Sequence, residues 1–89
     1  MPSYEILPSL LKSLQKLSKK NKPLYEQVLK KIDEVVSTPD IEHYKNLRYD
    51  MKDSKRVHIG HFVLVFEYRK NENKLIFKDF DHHDNIYTK

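Results

Sequence analysis

The feature that most constrains the fold is residues 56–68, where apolar residues flank Gly60, the only glycine in the chain. Residues 62–66 form a continuous apolar run rich in β-branched and aromatic side chains, which is typical of a strand buried on both faces. Because glycine adopts a positive φ without steric cost, Gly60 is predicted to turn the chain between two antiparallel strands. The stretch is therefore predicted to be a β-hairpin whose second strand lies inside a sheet.

The first strand of this hairpin carries two basic side chains in an alternating pattern. Arg56 and His58 alternate with two β-branched residues, so the basic pair is expected to share one face of the strand. A further strand is predicted at residues 75–80, after a polar turn at residues 70–73. The second half of the chain is therefore expected to build most of a small sheet.

Two amphipathic helices are predicted upstream of the sheet. After a short edge strand at residues 3–7, Pro8 fits the first turn of a helix, and leucines recur at helical spacing. Residues 21–23 are predicted to break this helix and start a second one, which ends at residues 37–40. Because the break is short, the helices are expected to pack antiparallel, with their apolar stripes as core. The stripes are Leu7, Leu10, Leu11, Leu14 and Leu17, then Leu24, Tyr25, Val28, Leu29, Ile32, Val35 and Val36.

The predicted order of elements is β-α-α-β-β-β. It indicates an α+β fold in which a helical hairpin packs on one face of a small, mainly antiparallel sheet, followed by a short C-terminal tail. With 89 residues, a single domain is expected over residues 1–89. Residues 44–49 are predicted to hold a short strand or an extended segment, and residues 50–54 a turn. The face with Arg56 and His58 is left open as a possible RNA-binding surface.

Composition limits the classes of function. The 17 basic and 13 acidic residues give a net charge of +4, which favours anionic partners, although genome bias explains a lysine-rich chain equally well. The absence of cysteine excludes disulfides and thiolate sites. No apolar run is long enough for a membrane span or a signal peptide, so we expect a cytoplasmic protein without membrane association.

The histidines in the second half of the chain have three interpretations, of which the first is RNA cleavage. Attack of the RNA 2′-hydroxyl on the adjacent phosphorus needs a base, an acid and cations for the charge that builds on phosphate. Imidazole can act as a proton donor or acceptor near neutral pH, and an aromatic ring can stack on a nucleotide base of the RNA. The candidates for these roles are Arg56, His58, His83 and Tyr87.

Two other interpretations of the histidines stay open. The first is a metal site in residues 79–84, but the spacing matches no known motif, and adjacent histidines on a strand are expected to point to opposite sides. No metal or other cofactor is therefore expected. The second is that the histidines are ordinary surface residues, which is the interpretation favoured for His43 and His61.

The order of elements and two motifs together resemble the RelE/ParE superfamily of toxins from type II toxin–antitoxin operons. The first motif leads from residues 46–48 to residues 56–66, with alternating basic and apolar residues before a glycine and an aromatic residue. The second is the ending at residues 82–87, which resembles the family's basic residue followed by an aliphatic and an aromatic one. The resemblance covers nearly the whole chain, and the tail is most similar to YafQ-type mRNA interferases.

This resemblance implies a ribosome-dependent mRNA endoribonuclease that enters the ribosomal A site. It also implies a cognate antitoxin that binds the toxin in a hetero-oligomeric complex. By resemblance, His83 transfers a proton, His58 is its partner or a phosphate ligand, and Arg56 stabilises charge. The resemblance also gives Tyr87 the role of stacking on an RNA base or orienting it. The expected RNA-binding residues are Lys45, Arg48, Lys55 and His82.

One position departs from the family pattern and keeps alternatives open. RNase members commonly have an arginine where this chain has Val63, so a central cation is missing unless Arg48 or Lys55 replaces it. A ParE-like toxin that inhibits DNA gyrase without catalysis is one alternative, although the His83–Tyr87 ending argues against it. A degenerate relative that only binds its antitoxin is another, and an unrelated small binding module is the third.

Overall fold

The computed structural model describes residues 2–44 and 54–87, with the backbone alone for Tyr87. The predicted α+β class and element order are confirmed, and the predicted tail contains a short third helix. The candidate residues Lys45 and Arg48, and most of the segments predicted at 44–49 and 50–54, lie outside the described residues. The elements are β1 (Ser3–Ile6), α1 (Pro8–Lys20), α2 (Lys22–Ser37), β2 (Ser54–Ile59), β3 (Phe62–Arg69), β4 (Lys74–His82) and α3 (His83–Tyr87).

The four strands form one sheet in the order β1-β4-β3-β2. β1 is an edge strand, as predicted, and pairs in parallel with β4, whereas the β2–β3 and β3–β4 pairs are antiparallel. Gly60 has a φ of +62° and, with His61, forms the two-residue turn of the predicted hairpin. Because His61 keeps a negative φ, the turn is of the II′ kind, which needs glycine at its first central position.

The helical hairpin turns at a single residue. The Asn21 N–H donates to the Leu17 carbonyl at 2.8 Å and so ends α1. The Asn21 side-chain oxygen accepts from the Leu24 N–H at 3.3 Å and so caps α2. This double role explains how the predicted break can be so short. Of the helices in the described parts of the chain, none is both long and apolar enough to cross a membrane.

The main core lies between the helical hairpin and one face of the sheet. Leu11 and Leu29 of the predicted stripes are not part of it, since they are 46% and 40% exposed. Each lies one residue, or about 100° of helix rotation, beyond a buried neighbour, so the true stripes are narrower than predicted. The core includes Leu10, Leu14, Val28, Ile32, Val35, Val36, Leu64, Phe66, Leu75 and Phe77.

A bulge in β4 decides which side chains reach each face. The pairing with β3 shifts in the middle of the strand, where β4 carries Lys78 as an extra residue. Phe80 is thereby returned to the face that packs on the helices. Asp79 and Asp81 are turned to the opposite face, because the extra residue reverses the two-residue alternation.

The bulge also places Lys78 in an ion cluster around Glu67. The Lys78 ammonium lies 2.9 Å from Glu67 Oε1, and Arg69 Nε donates to Glu67 Oε2 at 2.6 Å. The Glu67 side chain is only 15% exposed. These hydrogen bonds, from Lys78 first and Arg69 second, hold the pKa of Glu67 below its ordinary value of 4.5.

We expect Glu67→Gln to lower the free energy of unfolding by about 1 kcal/mol at pH 7, because the charged hydrogen bonds are lost. Because the pKa of Glu67 is lower in the folded state, its contribution to the free energy of unfolding is fully present above its ordinary pKa of 4.5. This contribution is lost as the pH falls below 4.5 and through the lower folded-state pKa. Urea denaturation of both proteins between pH 7 and pH 3 measures the difference. A difference that stays constant over this range would contradict the assignment, and Glu72→Gln, at an exposed ion pair, is the control with no expected effect.

Candidate functional site

The sheet face that points away from the helical hairpin, called the open face below, carries two rows of side chains. Each row has a basic residue on β2, a valine on β3 and an aspartate on β4, because partners in register share a face. Arg56 and His58 therefore lie on one face, as their alternation predicts. The rows are Arg56–Val65–Asp79 and His58–Val63–Asp81.

The valines of these rows are covered, whereas the ends of the rows are accessible. Ile86 of α3 packs on Val63 and Val65 in a second, small apolar cluster. Val63 is fully buried there, and His58 on the neighbouring strand is exposed. The position where the resembling RNase toxins have an arginine is thus an apolar contact under α3 in this chain.

Arg56 and His58 also line a groove beside β2, the last strand of the described sheet. The groove has a volume of about 370 Å³ and is shared with His43 and Tyr44. The His43 ring lies 4.3 Å from the Tyr44 ring, and its Nδ1 bonds to the Asp40 carbonyl. The two basic side chains are therefore presented on the open face and at its edge.

His83 is fixed to the turn of the hairpin. Its N–H donates to the His61 carbonyl at 2.9 Å, and its Nδ1 lies 3.3 Å from the same oxygen. Its Nε2 lies 3.1 Å from Asp84 Oδ1, and the side chain is 46% exposed. Because His58 is one residue pair from this turn, the two predicted proton-transfer residues lie at the same end of the sheet.

His82 and His83 lie side by side, so the expectation that they point to opposite sides is wrong. Their ring centroids are 4.6 Å apart. The strand ends at His82 and the chain turns into α3 at His83, so the alternation of a strand does not apply. His82 also contacts Phe62 edge-on at 5.7 Å and accepts the Asp84 N–H at 3.3 Å.

Asp81 holds the start of α3 in place. Its Oδ1 accepts from the His82 N–H at 2.7 Å and from Asn85 Nδ2 at 3.1 Å. A helix of five residues has little stability of its own, so it depends on such contacts. Asp81 is therefore a positioning residue for His83.

We expect Asp81→Ala to lower the free energy of unfolding by about 1 kcal/mol, because two hydrogen bonds to one carboxylate oxygen are lost. The amide hydrogens of α3 should exchange faster with solvent in this variant, which hydrogen-exchange mass spectrometry measures. Glu72→Ala is the control, since it removes an exposed carboxylate from the turn before β4, at the far end of that strand from α3. Unchanged exchange in α3 after Asp81→Ala would contradict the positioning role.

The other predicted residues are less closely grouped. Lys55 pairs with Phe66 in register, on the helix side of the sheet, and its ammonium donates to the Tyr44 carbonyl at 3.2 Å. It therefore does not lie beside Arg56 on the open face. Tyr87 is the last residue of α3.

Sequence reasoning missed one residue that organises this site. The sequence predicts His61 to be an ordinary surface histidine, but its carbonyl anchors His83 and its ring lies stacked 6.2 Å from that of His82. The available signal was its place directly after Gly60, because a hairpin turn is a fixed point against which a following segment can pack.

Comparison with known proteins decides the family. The model described as ParE toxin of type II toxin-antitoxin system, parDE, matches residues 4–87. The chain belongs to this toxin family. A Methanocaldococcus jannaschii relative with the provisional name toxin RelE4 is 54% identical over 90 residues, which cover 100% of this chain and 94% of the relative.

Two solved toxins share the fold of this ParE-family toxin. The intact E. coli RelBE toxin–antitoxin complex matches with a TM-score of 0.74 and 21% identity, covering 92% of this chain and 96% of the other. A metal-bound toxin from Helicobacter pylori matches with a TM-score of 0.65 and 27% identity, covering 96% and 98%. With the family model and the 54% identical relative, the toxin is a member of the RelE/ParE superfamily, and the structures show that its fold is RelE-like.

Proposed function

We propose that this ParE-family toxin is a ribosome-dependent mRNA endoribonuclease that is held inactive by a cognate antitoxin. The observation that carries the proposal is the position of His83, fixed to the hairpin turn at the end of the open face that bears Arg56 and His58. These are the groups that RNA cleavage by the 2′-hydroxyl requires. Since the substrate would be mRNA on the ribosome, the proposed site of action is the cytoplasm.

In the proposed reaction, the 2′-oxygen attacks the adjacent phosphorus and the 5′-oxygen of the next nucleotide leaves. A base takes the proton from the 2′-hydroxyl, and an acid delivers a proton to the leaving oxygen, so the products are a cyclic phosphate and a 5′-hydroxyl. Both ring nitrogens of His83 have an oxygen acceptor within hydrogen-bonding distance, so the ring can hold and deliver a proton. His58 is proposed as its partner or a phosphate ligand, and Arg56 stabilises the negative charge that builds on phosphate.

Exposed apolar side chains support the proposal of an antitoxin partner. Tyr4, Leu11 and Leu29 are 52%, 46% and 40% exposed. Single exposed apolar residues are common, but two of these continue the apolar stripes of the helical hairpin. We propose that the cognate antitoxin covers this surface in a hetero-oligomeric complex.

A toxin without RNase activity is the second candidate. Val63 favours it, because the fully buried valine leaves the covered centre of the face without a cation. Such a toxin would act as a gyrase inhibitor or would only bind its antitoxin. In that case mRNA would stay intact in the presence of the protein.

Translation in a cell-free extract, followed by primer extension on the mRNA, tests the proposal. We expect new mRNA ends when purified toxin is added to translating ribosomes, and none when initiation is blocked. Intact mRNA with broken or unsupercoiled plasmid DNA would support a gyrase inhibitor and overturn the RNase proposal. Intact mRNA and intact DNA would support a relative that only binds its antitoxin.

A further inference from the structure

The corner where β4 ends and α3 begins gathers three consecutive side chains that can bind a metal. His82, His83 and Asp84 each offer a ligand atom, and these atoms lie within 4.8 Å of one another. We propose that they form a binding site for a divalent transition metal ion, with zinc as its preferred occupant. The proposal concerns this chain's own ligands and does not depend on RNase activity.

The distances within the corner are close to those of a zinc site. Asp84 Oδ1 lies 3.1 Å from His83 Nε2, and Asp84 Oδ2 lies 3.6 Å from His82 Nδ1. In a tetrahedral site with bonds of about 2.0–2.1 Å, ligand atoms are about 3.3–3.4 Å apart. His82 Nδ1 accepts the Asp84 N–H at 3.3 Å, so a metal bound there would replace this hydrogen bond. With 38% and 46% exposure, the His82 and His83 side chains have room to rotate towards a shared ion.

His83 already has the orientation that a metal-ligating histidine needs. Its Nδ1 lies 3.3 Å from the His61 carbonyl oxygen, so Nδ1–H can donate there and leave the Nε2 lone pair for the metal. A backbone carbonyl that holds the second ring nitrogen in this way fixes the tautomer and the ring plane. The same carbonyl accepts the His83 N–H, which fixes the residue's backbone as well.

The chemistry of the ligand set selects the class of metal. Two imidazoles and one carboxylate suit zinc and neighbouring transition metals, whereas magnesium and calcium prefer oxygen ligands. Three protein ligands leave one tetrahedral position for water or for a fourth side chain. Of the two sequence-based reasons against a metal here, strand alternation does not apply because the strand ends at His82, whereas the spacing still matches no known motif.

Zinc titration of the full chain without a histidine tag tests this site. Competition with a chromophoric zinc chelator gives the affinity, and cobalt absorption spectra report the coordination number. We expect one equivalent of zinc to bind, and each of His82→Ala, His83→Ala and Asp84→Asn to weaken it by at least about tenfold, the lower end of what loss of a supporting contact costs. His43→Ala is the matched control, since it removes an exposed histidine from the groove beside β2, and it should bind as the wild type does.

Two outcomes would overturn the proposal. The first is wild-type affinity in a folded His82→Ala/His83→Ala double variant, which would place zinc elsewhere. The second is an equal loss in His43→Ala, which would indicate scattered binding by surface histidines. Circular dichroism of each variant separates loss of ligand from loss of fold.

One consequence of the site rests on the proposed function. A metal on His83 Nε2 occupies a lone pair that proton transfer needs, so zinc should inhibit mRNA cleavage. Because binding is measured on the isolated protein, failure of the RNase proposal would leave the binding result unaffected. If zinc binds but does not slow mRNA cleavage, the metal site is supported and only its inhibitory effect on cleavage is wrong.

Discussion

His83→Ala is expected to reduce the proposed ribosome-dependent mRNA cleavage by about 10²–10⁴-fold, the typical contribution of a positioned acid or base. The side chain is exposed and contributes no core contact, whereas the backbone bond to the His61 carbonyl remains in the variant. Primer extension on translating ribosomes, with initial rates at saturating and limiting toxin, measures the effect. The loss should appear in the cleavage rate rather than in ribosome binding.

A matched control distinguishes a role in the reaction from a general loss of charge or fold. Lys70→Ala removes a 74% exposed cation at the opposite end of the sheet and should cleave like the wild type. Thermal unfolding of both variants should give midpoints close to the wild-type value. If His83→Ala is folded and cleaves at the wild-type rate, His83 is not the proton-transfer residue.

Val63→Arg is expected to lower the free energy of unfolding by about 3–5 kcal/mol, because an uncompensated charge is forced into a buried site. Val63 is fully buried, and Ile86 of α3 packs on it. Restoring the cation that the resembling RNase toxins carry would therefore displace α3, which begins with His83. We expect lower cleavage activity rather than higher activity, even though the substitution moves the sequence towards the family pattern.

The control for this variant is His58→Arg, one strand away in the same row. His58 is exposed, so a guanidinium there remains in water and should leave the free energy of unfolding unchanged. Urea denaturation of both variants at pH 7 measures the difference. Wild-type stability in Val63→Arg would mean that α3 does not pack on β3 in solution.

The helical part of the fold was predictable because its patterns are local. Proline at the start of each helix and leucine at helical spacing predict where α1 and α2 lie. The same patterns could not show that Leu11 and Leu29 face outward, since this depends on where the sheet lies around each helix. How many residues of an apolar stripe are buried depends on how the helix packs against the sheet.

The geometry of the site was less predictable, because two irregularities decide it. The bulge at Lys78 sends Asp79 and Asp81 to the open face, and the only signal is that apolar residues in β4 change from a spacing of two to a spacing of three. The turn into α3 brings His82 and His83 together, which strand alternation excludes. Both are single-residue changes of direction, and patterns averaged over a whole element do not detect them.

The parallel pairing of β1 with β4 has a consequence for a toxin that is itself made by ribosomes. Ser3 pairs with Lys74, so these partners are 71 positions apart (74 minus 3), and in the described sheet β1 is bonded to β4 alone. During synthesis β1 emerges before β4 and cannot form this pairing until β4 has followed it, and β4 leads directly into His83. If the proposed function holds, a nascent toxin is harmless to the ribosome that is translating it until β4 and His83 have emerged, because the site is incomplete before then.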